Sequence, residues 1–402
     1  MKKHFGSQLM YAGLLAVVGC FLLMMMGCKE EKGTSLYGLV TPGKPQPVVD
    51  SLSPSGNALA GADQITLFGK NFSAVAGDNV VFFNAKAAKT LSATSTKLVV
   101  TSAVDSGTVA VKLSVAGADL YSTPLAYHLK LAVVAFGNFT PPATGVAAIT
   151  PDNAANLYYD LLGGNADNGI YILSPDGTKR IFAPKSQGVS QWLSLKLGPG
   201  GTLYSARGAS AVFKFGLTDS IAAVWVGGTG TVKDIDFDQN KYLWAGGNSV
   251  ALKCIKQDKS ITSVPFTGAV RALRVFNNYL YFSALKDSAE KIFRAAINGD
   301  NLGTPEEYFN ITSSVGSAYI GQALTFSSDG YLYIGTQSPL GLIVVAPDQS
   351  FTTPYSSYST LFGTQISYLA WGPGDVLYAA TFEGNLLKIY TNKTGAPYYG
   401  TN

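Results

Sequence analysis

The residues of this chain that could form a ligand site share one register of a repeated strand. A pattern of apolar strand, polar turn and Leu beside an aromatic recurs after residue 145, at Leu157-Tyr158, Leu203-Tyr204, Leu243-Trp244, Leu280-Tyr281, Leu332-Tyr333 and Leu377-Tyr378. Ten residues before each repeated Leu, with one deletion in the fourth copy, stand Ala147, Leu193, Lys233, Arg271, Gln322 and Ser367. Two cations and an amide at one register of neighbouring repeats predict a polar binding surface.

The chemistry that such a surface favours is the recognition of a neutral or acidic sugar. Arg207 and Asn248 follow the second strand of their repeats and are predicted to lie on the same surface as Lys233, Arg271 and Gln322. Trp192, one residue before the register in its repeat, is expected near the rim of that surface. Guanidinium groups offer paired hydrogen bonds to hydroxyl or carboxylate oxygens, and an aromatic ring covers the apolar face of a sugar. The alternative is that Trp192 packs between sheets and that the cations are solvated strand ends.

This hypothesis makes a prediction about a double variant. We expect the change of both Lys233 and Arg271 to Ala to abolish ligand binding and to leave the melting temperature within a few degrees. If the double variant binds the ligand as well as the unmodified chain does, the site is wrong.

Catalytic side chains are scarce in the sequence. Once residues 1–27 are removed, His128 is the remaining histidine, so neither a Ser-His-Asp triad nor a histidine metal cluster can form within the repeats. The strand-like neighbours of His128 indicate a hydrogen-bonding residue between domains. Cys254 lies in an apolar run and is interpreted as a small buried residue. The sequence therefore predicts no catalytic residue and no cofactor.

Three aspartates in the third repeat are the one candidate for a metal site. Asp234, Asp236 and Asp238 alternate along a strand and turn. Calcium takes six to eight oxygens from several segments, whereas Asp238-Gln239-Asn240 is typical of a turn in which Asp bonds the backbone. We predict no metal. The enzymatic alternative is a lactonase or a lyase. Such a lactonase would need calcium held by acidic and amide side chains, and such a lyase resembles proteins whose metal is held by histidines, which the repeats lack.

The spacing of the repeats predicts the element that positions these residues. The repeated leucines are 46, 40, 37, 52 and 45 residues apart, and several short strands per period of this size are typical of a β-propeller. Residues 131–402 resemble the NHL-type six-bladed propellers, with the nearest copy of the motif at 235–244. In a four-stranded meander, the start of the first strand and the loop after the second lie on one face. The candidate residues are therefore expected around one mouth of the channel, and either 133–136 or 397–399 closes the ring.

Residues 46–130 precede the repeats and have the alternation of a half-buried sandwich, as in Ile65-Thr66-Leu67 and Val109-Ala110-Val111. The run from Ser53-Pro54 through Gly61 to Ile65–Phe72, followed by Val80–Phe82 and Gly107–Val111, resembles the IPT/TIG immunoglobulin-like family. The resemblance implies a spacer or interaction domain in which Phe72 fills the core after Gly69. The predicted fold class is thus all-β, an immunoglobulin-like sandwich followed by a six-bladed propeller.

The N-terminus resembles a bacterial lipoprotein signal. Lys2 and Lys3 precede an apolar run that ends in Gly27-Cys28. The resemblance implies a signal peptide at 1–27, a lipid on Cys28 and a flexible tether at 28–45. An uncleaved membrane helix is the alternative. The charged residues after Cys28 resemble the signal that directs lipoproteins to the outer face of the outer membrane in one phylum of Gram-negative bacteria. Beyond Cys20 and Cys28 only Cys254 remains, which excludes a disulfide within the mature chain.

Composition narrows the class of partner. Charged residues make up 13% of the chain, and removal of two lysines with residues 1–27 lowers the net charge from +4 to +2. A nearly neutral, aromatic-rich chain does not suit nucleic acid. The resemblances to IPT/TIG modules and to surface lipoproteins imply a place beside a polysaccharide-uptake system, because both often accompany such systems. Together with the composition, they lead us to predict a non-catalytic surface glycan-binding accessory of a polysaccharide-uptake system. The alternatives are a protein interaction scaffold in the outer membrane and, second, a metal-dependent propeller lactonase or lyase.

Overall fold

The computed structural model describes residues 43–163, 166–185, 191–216, 219–248, 251–337 and 340–400. The predicted signal peptide, Cys28 and residues 29–42 of the predicted tether lie outside the described residues. Within those ranges, no helix has both the length and the apolar character needed to cross a membrane.

Two sheets form the sandwich that precedes the repeats. The first has the strand order β1 (Val48–Ser53), β3 (Gln64–Lys70), β7 (Lys97–Thr101) and β6 (Lys89–Ala93). The second has the order β2 (Ala58–Ala60), β9 (Leu125–Leu131), β8 (Gly107–Val115), β4 (Asn79–Phe83) and β5 (Lys86–Ala87). Ile65 and Leu67 are completely buried, as the alternation predicts. Phe72 is buried as well, and a Cβ on Gly69 would lie 2.6 Å from its ring, so the predicted packing of Phe72 at this glycine is confirmed.

Six further sheets, called repeat sheets 1 to 6, follow in the described residues. Each has four strands in antiparallel order, and repeat sheet 4 carries one more. Their strands are, for sheet 1, β11 (Gly145–Pro151), β12 (Leu157–Gly163), β13 (Ala166–Leu173) and β14 (Lys179–Ala183); for sheet 2, β15 (Ser194–Leu197), β16 (Leu203–Ala206), β17 (Ala211–Phe215) and β18 (Ala222–Gly227); and for sheet 3, β19 (Asp234–Phe237), β20 (Leu243–Gly246), β21 (Ala251–Ile255) and β22 (Ile261–Pro265).

The remaining sheets continue the pattern. Their strands are, for sheet 4, β23 (Ala269–Phe276), β24 (Tyr279–Lys286), β25 (Ala289–Asn298), β26 (Asn301–Leu302) and β27 (Glu306–Asn310); for sheet 5, β28 (Ile320–Phe326), β29 (Leu332–Gln337), β30 (Leu342–Val345) and β31 (Phe351–Thr352); and for sheet 6, β32 (Ile366–Trp371), β33 (Val376–Thr381), β34 (Leu386–Tyr390) and β10 (Val133–Ala135). Two one-turn helices, α1 (Ile311–Ser314) and α2 (Ser359–Phe362), lie between them. The repeated Leu begins the second strand of every sheet or is its second residue.

The first strands of the repeat sheets contact one another in a closed cycle. Strands β11, β15, β19, β23, β28 and β32 each contact the next, and β32 contacts β11. Aromatic and aliphatic side chains fill the spaces between consecutive sheets, as Trp244, Phe266 and Phe282 do between sheets 3 and 4. The fourth strand of sheet 6 is β10, whose Val133 pairs with Ile389. Of the two segments considered for closing the ring, 133–136 therefore supplies the strand.

Residues 46–116 and 120–400 form one compact unit, and residues 43–45 with 117–119 belong to another. Within the larger unit, the sandwich and the repeats share a core. Leu59 packs in the same cluster as Phe362 and Trp371. The Tyr358 hydroxyl donates to the Ala60 carbonyl at 2.7 Å and accepts from the Ala132 N–H at 2.9 Å. These buried contacts hold the two parts in a fixed arrangement.

Candidate binding site at the mouth of the central cavity

A narrow cavity lies where the six first strands meet. Its lining includes Ile149, Ser194, Asp234, Arg271, Gln322 and Ser367, one residue from each first strand. Its volume is about 40 Å³, enough for a few water molecules but not for a sugar ring. A ligand larger than a few water molecules therefore does not fit inside this cavity.

Asp234 faces the cavity and is held by three hydrogen bonds. Its Oδ1 accepts from the Ser194 hydroxyl at 2.6 Å and from the Ile235 N–H at 2.9 Å, and its Oδ2 accepts from the Leu273 N–H at 2.8 Å. Burial raises the pKa of Asp234, and the Lys196 ammonium opposes that rise. The carboxylate thus joins the first strands of sheets 2, 3 and 4.

The other two aspartates of this run are engaged elsewhere. Asp236 pairs with Arg274 at 2.7 Å. Asp238 accepts from the Asn240 N–H at 2.8 Å, from the Tyr242 N–H at 3.0 Å and from the Trp244 indole at 2.9 Å. The predicted role of Asp238 in capping the turn is confirmed. In the part of the chain that the structure describes, no three His, Cys, Asp or Glu side chains are placed to share a metal.

Backbone hydrogen bonds bring the predicted loops to the predicted strand starts. The Gly208 N–H donates to the Val232 carbonyl at 2.9 Å. This bond brings the loop of Arg207, the residue before Gly208, to the strand start of Lys233, the residue after Val232. The Val270 N–H donates to the Gly247 carbonyl at 3.3 Å, which does the same for Asn248 and Arg271. The Val146 N–H and the Gly384 carbonyl join sheets 1 and 6 likewise at 2.9 Å. Loops after second strands and starts of first strands therefore share one face.

β-Bulges orient three side chains at the shared register, two of which, Arg271 and Gln322, are predicted site residues. The pairing of first and second strands shifts between Val270 and Ala272, between Gly321 and Ala323, and between Ile366 and Tyr368. The residues left unpaired are Arg271, Gln322 and Ser367, all of which line the central cavity. A bulge re-aims a side chain that regular pleating would turn elsewhere. The shared register that the sequence revealed is thus a register of bulges in sheets 4, 5 and 6.

Arg271 is tied to a buried carboxylate. Its Nε and Nη2 donate to Glu290 at 3.3 and 2.7 Å, and the Glu290 side chain is 7% exposed. Burial and the nearby Arg271 charge lower the pKa of Lys233. This ion pair argues against the expectation that the Lys233→Ala/Arg271→Ala double variant melts within a few degrees of the unmodified chain, because the change at Arg271 would leave the buried Glu290 carboxylate without its partner. Guanidinium has five N–H donors, so the ion pair leaves others for a ligand.

Trp192 is a packing residue. Its side chain is 1% exposed and meets the rings of Phe213 and Phe215 edge-on, with centroids 5.3 and 5.4 Å away. The Arg207 guanidinium lies 4.9 Å from the Trp192 ring and 4.6 Å from the Phe213 ring. Of the two interpretations of Trp192, packing between sheets is therefore the one that its burial supports, and direct contact with a ligand at the rim is not. The ring instead supports Arg207.

Further polar and aromatic residues lie on the same face. The Gln322 side-chain amide donates to the side-chain amide oxygen Oε1 of Gln337 at 3.4 Å, and Gln337 forms a backbone β-bridge with Gln365. A pocket of about 240 Å³ is lined by Gln191, Ser367 and Phe382, among others, and Phe382 is 69% exposed. Gln337 and Phe382 stand five residues after the repeated Leu, as Asn248 does. Extension of that register to the last two repeats would have found both.

A buried carboxyl pair lies behind this face. Asp160 and Asp167 are fully buried. Asp160 accepts from the Trp192 N–H at 2.9 Å, and Asp167 accepts from the Gly169 N–H at 2.7 Å. Burial raises the pKa of Asp160 to about 9, and Asp167 adds to the rise. Asp160 is therefore protonated at neutral pH and joins sheet 1 to the start of sheet 2.

The opposite end of the cavity is covered by the C-terminal segment 391–400. The Tyr398 hydroxyl accepts from the Trp371 N–H at 2.9 Å, and its ring lies 4.1 Å from the Arg274 guanidinium and 5.4 Å from the Lys196 ammonium. These three partners stand near the ends of β32, β23 and β15. Arg274 also donates to the Ala396 and Pro397 carbonyls at 3.2 and 2.8 Å. The face that carries Lys233 and Arg271 is thus the open one.

The two residues considered as reactive groups lie away from this face. His128 is exposed on β9, and its backbone carbonyl accepts from the Asn57 N–H at 2.8 Å within the sandwich. Cys254 is completely buried, and burial raises the pKa of its thiol to about 12. A thiol with that pKa is not a nucleophile at neutral pH, in agreement with its interpretation as a packing residue.

Comparisons with known proteins locate one domain and the general fold. The IPT/TIG domain family matches residues 47–129. An auxiliary nutrient binding protein from Bacteroides thetaiotaomicron is 12% identical with a TM-score of 0.52, over 86% of this chain and 97% of that one. A putative phosphatase from the same organism is 9% identical with a TM-score of 0.54, over 88% and 98%.

A gluconolactonase from Xanthomonas campestris is 12% identical with a TM-score of 0.50, over 62% of this chain and 87% of that one. The search of curated proteins gave no match. At such identities the likeness concerns the fold alone. Residues 47–129 are thus an IPT/TIG domain, and the chain has a nearly all-β fold that is similar to bacterial proteins with binding and enzymatic descriptions.

Proposed function

We propose that this chain is a non-catalytic, lipid-anchored envelope protein whose six-bladed propeller binds a glycan at its open mouth. The closed cycle of six first strands supports six blades. The observation that carries the function is the polar face around a cavity of about 40 Å³. It presents guanidinium, ammonium, amide and hydroxyl groups beside an exposed phenyl ring.

This combination suits a sugar better than other small ligands. Amides and hydroxyls both donate and accept hydrogen bonds, as a sugar hydroxyl does. Lys233, Arg207 and Arg271 add donors for hydroxyl or carboxylate oxygens, and Phe382 offers an apolar surface for the C–H face of the sugar. The neighbour from Bacteroides thetaiotaomicron that is described as an auxiliary nutrient binding protein supports an accessory role in nutrient capture.

The location rests on the N-terminal sequence. The signal-like residues 1–27, Cys28 and the charged residues after it support lipid attachment and exposure at the outer-membrane surface. Residues 28–45 would serve as the tether, 46–130 as the immunoglobulin-like domain and 131–402 as the propeller. Labelling of whole cells with an antibody to the chain, together with palmitate incorporation that is lost in Cys28→Ala, tests this part.

A protein interaction scaffold is the second candidate, and exposed apolar side chains on outer strands favour it. Ile181 on β14 is 57% exposed, Val224 on β18 is 58% exposed, and Ile221 just before β18 is 56% exposed. Such side chains can form part of a protein interface. Pull-down from envelope extracts with and without Ile181→Lys and Val224→Lys separates this function from glycan binding.

Native gels cast with polysaccharides test glycan binding. The soluble chain from residue 29 should be retarded by at least one of xyloglucan, galactomannan, arabinoxylan, laminarin and amylopectin. Lys233→Ala should lose most of that retardation. Lys253→Ala is the matched control, because Lys253 lies on β21, the third strand of the same sheet, and its ammonium donates to the Ser263 hydroxyl at 2.8 Å. Equal retardation of both variants would exclude Lys233 from the site, and no retardation of the unmodified chain would oppose the proposal.

A further inference from the structure

We propose that the cleft between the sandwich and repeat sheet 5 is a second ligand site, which takes a short segment of an uncharged oligosaccharide. The cleft has a volume of about 630 Å³. Sites for small molecules usually measure about 300–1,000 Å³ and often lie where two domains meet. The central cavity, at about 40 Å³, and the pocket beside Phe382, at about 240 Å³, are smaller.

The walls of this cleft are held in place before any ligand binds. Tyr358, next to the cleft, bonds both Ala60 and Ala132. Gly61 packs so closely on the opposite wall that a Cβ there would lie 3.1 Å from the Ser357 Cβ. Because these contacts belong to the core that the sandwich and the repeats share, the cleft is preformed. A preformed site avoids part of the ordering cost of binding.

The chemistry of the lining indicates the class of ligand. Its polar groups are mainly hydroxyls, contributed from both walls by Thr101, Ser102, Thr352, Thr353, Ser356 and Ser357. A hydroxyl both donates and accepts, which matches a ligand that carries many hydroxyls itself. No carboxylate is among the described lining residues, and Lys89 is the one cation among them. The exposed side chain of Leu91, 41% accessible, offers an apolar contact for the C–H face of a sugar.

An extended peptide is the alternative occupant, because two sheet edges border the cleft. Strand β6 is the edge of one sandwich sheet, and β31 is the edge of repeat sheet 5. A peptide that adds to a sheet needs a regular edge. Strand β6 has a bulge between Thr90 and Ser92, and β31 has two residues. Bulged, lysine-bearing and very short edges are poor templates for strand addition, so the oligosaccharide is favoured.

Two sites on one chain would change how the protein holds a polymer. A polysaccharide that reaches both the mouth and the cleft would bind more tightly than either site binds a short oligosaccharide. The IPT/TIG domain would then supply one wall of a binding site and would not serve as a spacer alone. The ligand class rests on the proposed function, whereas the location of this site does not depend on the mouth.

A bulky residue in the cleft tests the inference. Thr352→Trp places an indole in the cleft, and Phe351→Trp is the matched control, since neighbouring residues of a strand point to opposite sides and Phe351 does not line the cleft. The probes are the polysaccharide that retards the unmodified chain and a hexasaccharide prepared from it. Circular dichroism melting of both variants checks the fold.

By calorimetry we expect the unmodified chain and Phe351→Trp to bind two equivalents of the hexasaccharide and Thr352→Trp to bind one. The affinity of Thr352→Trp for the polymer should fall by about tenfold or more. Unchanged stoichiometry and affinity in Thr352→Trp would overturn the second site and leave the mouth intact. If Thr352→Trp loses all binding while Lys233→Ala keeps it, the cleft stands and the mouth fails. If the unmodified chain binds none of the polysaccharides, both proposals are overturned.

Discussion

The ion pair between Arg271 and Glu290 couples the proposed mouth to the stability of the fold. Arg271→Ala removes both N–H contacts, at 2.7 and 3.3 Å, and leaves a carboxylate that is 7% exposed without its partner. The Arg271 side chain itself is 20% exposed. Water can therefore enter where the guanidinium was, but it cannot fully solvate Glu290.

The magnitude follows from this partial burial. Removal of one partner from a fully buried pair costs about 3–5 kcal/mol, and an exposed pair is worth about 0–1 kcal/mol. For the intermediate case we expect the free energy of unfolding to fall by about 2–3 kcal/mol. In a domain of more than about 150 residues, each kcal/mol lowers the melting temperature by about 2–4 °C, which predicts a fall of roughly 4–12 °C.

A double-mutant cycle measures the effect and separates it from ligand binding. Glu290→Gln removes the buried charge, so Arg271→Ala/Glu290→Gln should recover most of the melting temperature that Arg271→Ala loses. Urea denaturation of the four proteins gives the coupling energy. Ligand binding is then compared in the double variant, where loss of affinity reflects the lost guanidinium. A melting temperature of Arg271→Ala within about 1 °C of the unmodified chain, or a double variant no more stable than the single one, would refute this account.

Three further predictions concern groups away from the rim. Asp160→Asn keeps a hydrogen-bond donor at every pH. Because burial raises the pKa of Asp160 to about 9, the contribution of its carboxyl group to the free energy of unfolding is complete below the unfolded pKa of about 4. That contribution is lost as the pH rises to 9. The free energy of unfolding of Asp160→Asn should therefore rise relative to that of the unmodified chain by up to about 1.4 kcal/mol per pH unit over that range. Urea denaturation that gives the same difference between the two proteins at pH 5 and at pH 9 would contradict this. Arg274→Met leaves the buried Asp236 without its partner and removes the hydrogen bonds to segment 391–400, so the free energy of unfolding should fall by about 3–5 kcal/mol. Arg274→Met/Asp236→Leu should recover much of that loss in the same assay. Addition of 5 mM calcium after dialysis against chelator should leave the melting temperature unchanged, because Asp234, Asp236 and Asp238 are engaged with protein donors, and a rise of several degrees would support the lactonase or lyase alternative.

Features that depend on neighbours in the chain could be read from the sequence alone. The repeated Leu marks the second strand of each repeat sheet, and the Asp238 turn bonds its own backbone within four residues. The alternation of β3 and β8 likewise follows from local patterns, whereas the packing of Phe72 at Gly69 was implied by the resemblance to the IPT/TIG family. Period and turn chemistry determine these elements because they act over a few residues, and the register of the candidate site residues came from the same regularity.

The tertiary structure decided the features that join distant segments. Trp192 and Phe382 are both aromatic residues, yet packing between sheets buries the first and leaves the second 69% exposed. The partner of Arg271 lies 19 residues away, and Arg274 holds carbonyls that are 122 and 123 residues away. No local pattern encodes which β-strand closes sheet 6 or which end of the cavity segment 391–400 covers. Those outcomes depend on the burial of whole side chains between sheets, and that burial is defined only once the strands have assembled.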